Sequence, residues 1–146
     1  MRLAGAWIYC IWWGMPKNSG DSYQEIEGLQ VRVDDVIYMP SLDAPVDKPH
    51  PFVYFITVDN GSVEQIRITG RKWIVREVSG EVVVVEGDGV VGQTPELDPG
   101  DDFSYNSYHI TAFDAVVSGT FFGETATGMK VRVRIPDFRL ELPEWA

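Results

Sequence analysis

The chain has 146 residues, 45% of them hydrophobic and 23% charged, which suits one globular domain with a real core and excludes a disordered polar chain. Twenty-two acidic residues against twelve basic ones leave a formal charge of −10, so the long-range field disfavours a nucleic-acid partner and anionic membranes. A single cysteine, Cys10, excludes an intrachain disulfide, and burial alone has to hold the fold.

The first segment is apolar. Leu3 to Met15 reads LAGAWIYCIWWGM, 13 residues after a lone Arg2, too short for a membrane span and without a small-x-small cleavage site. With the polar, turn-rich stretch Lys17 to Gln24 it reads as an extension and linker over residues 1–24, with Met15 as the natural start. A weak signal or anchor and an extra packed strand are the alternatives. The domain proper is expected over residues 25–146, without stable membrane insertion.

From there the chain is built of short alternating segments punctuated by Gly, Pro, Asp and Asn. Gln30 to Tyr38 is the first strand, and Asp43 to Pro51, with three prolines, is a loop. Phe52 to Val58 is apolar throughout and reads as a central strand, ended by Asn60-Gly61. Val63 to Ile68 and Lys72 to Val78 follow as two strands divided by Gly70. Glu81 to Glu86 is a valine run between gatekeeping glutamates, and Gly87 to Asp102 is a long acidic loop. Phe103 to Tyr108, Val116 to Phe122 and Met129 to Ile135 complete the series. Seven or eight strands at this spacing, with minimal helix, predict an all-β sandwich, a closed barrel fitting the alternation nearly as well. Trp73 and the aromatic residues around it are the expected core.

The stretches RKWIV (Arg71 to Val75), EGDGVVGQTPELDPGDDFSY (Glu86 to Tyr105), SGTF (Ser118 to Phe121) and VRIPDFRL (Val133 to Leu140) resemble the ApaG domain. The likeness runs from about Gln30 to Leu142 and implies an immunoglobulin-like, fibronectin-type-III-like sandwich in a bacterial, cytoplasmic protein. It also implies an indirect link to cobalt and magnesium homeostasis. The chain departs from the pattern at Lys72, where most relatives have histidine, and over Ser107 to Val117.

Two features could carry function. Gly87-Asp88-Gly89-Val90-Val91-Gly92 fits G-x-G-x-x-G, but no helix follows it and Asp88, Asp98, Asp101 and Asp102 would repel an anion. A turn with positive φ is the structural reading. The family resemblance keeps a phosphate-containing small molecule, pyrophosphate or a nucleotide, as the alternative, held by backbone N–H groups at Gly87, Gly89 and Gly92. The basic residues cluster as well: Arg67, Arg71, Lys72 and Arg76, then Lys130, Arg132, Arg134 and Arg139. If the third and last strands share a sheet, these two sets combine into one cationic face for an anionic ligand or acidic partner. A solvated face paired with Glu124 and Glu141 is the plainer reading.

Catalytic and metal constellations are poor. Two histidines, His50 and His109, and a cysteine in the extension give no nucleophile pair; Ser107, His109 and Asp114 form a set by number only. No catalytic residue, metal ligand or cofactor is assigned. The sequence therefore reads as a non-enzymatic module whose partner is another protein, with small-anion binding as the alternative.

Overall fold

The computed structural model describes residues 23–146, so the expectations for the apolar extension lie outside the described residues. Eight strands follow in chain order: β1 (Leu29–Tyr38), β2 (His50–Asn60), β3 (Ile66–Glu77), β4 (Val82–Asp88), β5 (Glu96–Leu97), β6 (Asp102–Thr111), β7 (Ala115–Thr125) and β8 (Lys130–Leu140). All strand pairings are antiparallel. A three-stranded sheet has the order β1-β2-β6; a five-stranded sheet has β4-β3-β7-β8 with β5 also on β3. Among the described residues there is no helix. The sheets face each other as a sandwich, not a closed barrel, with β1 packed against β8 along one side.

The alternation in sequence becomes the two sides of each sheet. Along β7 every second residue from Ala115 to Thr125 is buried, and those between are partly exposed. Phe52, Tyr54, Ile56 and Val58 of β2 meet Trp73, Val75, Phe121, Val117 and Ile135 in a common core. Trp73 sits at its centre, 2% exposed, edge-on to Phe121 and Phe138 and beside Tyr54. Gly119 makes room for it: a Cβ there would stand 2.7 Å from Trp73 Cε3.

Three elements differ from the sequence expectation, each for a local reason. The two segments divided by Gly70 form the single strand β3, because the irregularity between Ile68 and Gly70 is a bulge, not a break. Strand β2 begins at His50, since Pro51 stands in its first turn of pairing, where a missing N–H is tolerated. Strand β8 continues past Pro136 to Leu140; it is the outermost strand named in its sheet, and a register shift opposite Val117 and Gly119 absorbs the proline. Gln24, read as linker, pairs in parallel with Val131: its N–H donates to Lys130 O (3.0 Å) and its carbonyl accepts from Arg132 N–H (2.9 Å).

Candidate functional site: a cationic sheet face

Register decides where the basic residues point. Cross-strand partners share a face, so Lys72, Thr120 and Arg134 form one row across β3, β7 and β8, and Arg76, Val116 and Arg139 another. Phe122 with Arg132, and Arg67 with Glu124 and Lys130, complete it. Their neighbours Trp73, Val75, Val117 and Phe121 are buried, which places these rows on the outside. Arg67, Lys72, Arg76, Lys130, Arg132, Arg134 and Arg139, seven of the chain's twelve cations, thus occupy one face of a molecule carrying −10 overall.

Their charges are loosely tied down. Arg67–Glu96 (3.7 Å), Lys72–Glu86 (3.9 Å), Arg132–Glu25 (4.0 Å), Arg134–Asp137 (3.3 Å) and Arg139–Glu141 (3.6 Å) are solvent-exposed or half-exposed pairs. Such pairs contribute about 0–1 kcal/mol each and exchange readily for another anion. The Arg76 guanidinium donates to Ser118 Oγ (3.1 Å), and the Lys130 ammonium stands 5.7 Å from the Tyr23 ring centre. Tyr23 in turn packs edge-on against Phe122, 4.9 Å between centres.

Arg71 is not on this face. The bulge before it reverses the alternation, so Arg71 pairs with Phe121 and Gly87 on the inner side. Its Nη1 donates to the carbonyls of Asp88 (2.8 Å) and Gly89 (3.2 Å), holding the glycine segment from within.

That segment is a hairpin. Gly87 and Asp88 finish β4, and Val90 and Gln93 exchange hydrogen bonds of 2.7 and 2.9 Å around Val91 (φ 48°) and Gly92 (φ 79°). Positive φ at both central residues is the type I′ turn. Gly89 (φ 65°) donates its N–H to Thr69 O (2.7 Å). The region read as one long loop therefore contains the end of β4, this hairpin and β5.

Inside the sandwich, Tyr54 stacks on His109 and lies edge-on to Tyr105, and His109 is edge-on to Trp73. Burial pushes the Tyr54 phenol up to about 12, against hydrogen bonding from Ser107 and the nearby Arg71 charge, and raises Tyr105 further. His109, 4% exposed with no hydrogen-bond partner at Nε2, is pushed down to about 3 by burial. Asp114 accepts the Leu142 N–H (2.8 Å), so Ser107, His109 and Asp114 do not assemble as a relay. His50 meets Tyr38 through Nδ1 at 2.9 Å.

The opposite outer face is acidic. Asp35, Asp59 and Asp102 project there, and Asp34 accepts the Thr57 hydroxyl (2.6 Å), which holds its carboxyl below the usual range. Asp34, Asp35, Phe55, Ser104 and Asn106 rim a shallow groove of about 470 Å³. Residue order alone hid this polarity, because it depends on which strands pair. Among the described residues, no group of three or more His, Cys, Asp or Glu is placed to hold a metal, and no helix is long and apolar enough to cross a membrane.

A three-stranded sheet of strands one, two and six against a sheet of four, three, seven and eight is a fibronectin-type-III-like β-sandwich domain. Residues 40–124 match the family model of the ApaG domain. The chain is 40% identical over 95 residues to Protein ApaG of Vibrio vulnificus, covering 63% of this chain and 74% of that one. It is 32% identical over 118 residues to Protein ApaG of Brucella canis, covering 80% and 90%. A crystal structure of the putative ApaA protein from Bordetella pertussis superposes with a TM-score of 0.72 at 28% identity, over 84% of this chain and 98% of that chain. The protein belongs to the ApaG family.

Proposed function

We propose that this chain is a non-enzymatic interaction module that receives an acidic segment of another protein on the outer face of its five-stranded sheet. One observation carries the reading: seven cations gather on one face of a chain of charge −10, five of them in exposed or half-exposed ion pairs and Arg76 and Lys130 with no carboxylate partner among the described residues. Electrostatic focusing on such a face raises encounter rates and fixes orientation. Phe122, Ile74, Val84 and Val116 lie between the charges and supply apolar contact. The family resemblance extends the reading to an indirect part in divalent-cation homeostasis in a bacterial cytoplasm, without a resident cofactor.

Binding of poly-glutamate, followed by isothermal titration at low and physiological salt, tests the face. Lys130, Arg132 and Arg134 replaced together by glutamine should weaken binding at least tenfold and flatten its salt dependence. Unchanged binding by this variant overturns the reading.

A second reading places pyrophosphate or a nucleotide at the glycine hairpin. Its support is the tandem positive φ at Val91 and Gly92, a backbone form found in anion-binding nests. Pyrophosphate titration followed by NMR decides it: no shift at Gly87, Gly89 or Gly92 removes the idea.

A further inference from the structure

Strand β4 ends one side of the five-stranded sheet, and among the described residues it pairs with β3 alone. The ladder tells which of its backbone groups are spare. Glu77 N–H donates to Glu81 O (2.9 Å) and Gly89 N–H to Thr69 O (2.7 Å). Hydrogen-bonded pairs alternate along an antiparallel ladder, so Val83 and Val85 direct their groups at β3. Val82, Val84 and Glu86 aim theirs at the free edge.

This edge lacks the usual protection. Val82 to Asp88 reads VVVVEGD, with no proline or lysine, and it pairs with β3 without a bulge. Val82 is 54% exposed. The charges bordering the valine run are the carboxylates of Glu81 and Glu86, which disfavour self-pairing centred on either glutamate.

We propose that β4 is a dimerisation edge: two copies pair antiparallel about Val84, joining their larger sheets into one. Because the spare groups lie on alternate residues, this twofold sets Val84 against Val84 and Val82 against Glu86 of the second copy. Centring the pairing on Glu86 would oppose two carboxylates directly. With Val84 at the centre, Glu86 of the second copy lies just beyond Val82, and Arg76 is the cross-strand neighbour of Val82 on the near side. Arg76 donates to Ser118 Oγ (3.1 Å) and is in no ion pair among the described residues, while Glu86 is held within its own chain only by Lys72 at 3.9 Å. The Arg76 guanidinium reaches over Val82 to the Glu86 carboxylate of the second copy, and the symmetry repeats the ion pair. Val84, already beside Ile74 on the outer face, meets its own image, and each Val82 is covered by the second copy. The dimer shares Arg76, Ile74 and Val84 with the outer-face reading but leaves Arg132 and Arg134, on β8 at the far edge of the sheet, open to a partner.

Sedimentation velocity on the full chain across a concentration series tests the edge, with a concentration-dependent shift from one to two copies expected. Val84→Pro removes an edge N–H without removing a bond to β3, so it should stay folded by circular dichroism and sediment as a monomer. Arg76→Glu should raise the dimer Kd at least tenfold, and adding Glu86→Arg should restore it. Should Val84→Pro fail to fold, the Arg76 and Glu86 variants decide alone. A wild-type monomer at every concentration overturns the proposal, as does a dimer indifferent to Val84→Pro. A dimer that ignores Arg76→Glu overturns the register.

Discussion

The Arg71 guanidinium lies against the backbone of Gly87, so close that a Cβ on that glycine would stand 2.8 Å from Nη1 and 2.9 Å from Nη2. The first glycine of the recognisable motif thus serves an arginine of the same chain. The contact lets Arg71 reach the carbonyls of Asp88 and Gly89 and tie the hairpin to β3.

Gly87→Ala should therefore displace Arg71 and lose both hydrogen bonds, at a cost of about 1.5–3 kcal/mol. Arg71→Met should cost a similar amount. The double variant should cost clearly less than the sum of the two, because each removes the same interaction. Urea denaturation measures all three, and strict additivity would sink the link.

How much of this was legible follows from the bulge at Thr69. Strand existence was readable from alternation and spacing, and the buried Trp73 and the shared sheet of β3 and β8 from the order of an immunoglobulin-like sandwich. The inward aim of Arg71 was not, because Gly70 read as a strand break. An isolated glycine inside a strand also signals a bulge. That reading would have reversed the parity and grouped Arg71 with Trp73 and Val75. The acidic opposite face was hidden for another reason: Asp34, Asp59 and Asp102 come from three strands whose adjacency only the pairing reveals.

Val91 is a β-branched residue held at φ 48°, 53% exposed, at the first central position of a type I′ turn. The left-handed region costs such a residue about 1–2 kcal/mol. Val91→Asn creates Asn-Gly, the pair this turn favours. It should stabilise the domain by about 1 kcal/mol and raise Tm by about 3 °C. A loss of stability on thermal scanning would mean that the valine makes contacts worth more than its strain.

Gly119 faces Trp73 Cε3 at 2.7 Å and Ile135 Cδ1 at 2.9 Å from the place of an added Cβ. Neither neighbour can retreat within a packed core. Gly119→Ala should cost about 1–3 kcal/mol by overpacking. Trp73→Ala, which empties the same site, should cost about 3–5 kcal/mol. Chemical denaturation ranks the two, and a neutral Gly119→Ala would show that the tryptophan has room to move.

Acid should destabilise the domain through two groups whose effects begin at different pH. His109 titrates near 6.5 when unfolded and about 3 when folded, so between those values the unfolded chain binds the extra proton. Stability then falls as pH drops below about 6.5, by up to about 1.4 kcal/mol per pH unit. Glu77 acts later. Burial opposes its ionisation, but the Ala112 N–H (3.0 Å), Lys48 (3.2 Å) and Ser79 (3.1 Å) outweigh that and hold its carboxyl below the ordinary 4.5. The stability it contributes is fully present above 4.5 and is lost only as pH falls through its lower folded value. Lys48 is raised by Glu81 and Glu77 despite burial, so its share is lost only in strong alkali. His109→Phe, which keeps a ring against Tyr54, should flatten the profile between pH 6.5 and 4.5 and leave below 4.5 only the slope that Glu77 contributes. Glu77→Gln should do the reverse, lowering the plateau while preserving the upper slope. Urea midpoints measured from pH 7 to 3 distinguish them, and an unaltered slope in His109→Phe would assign the acid sensitivity elsewhere.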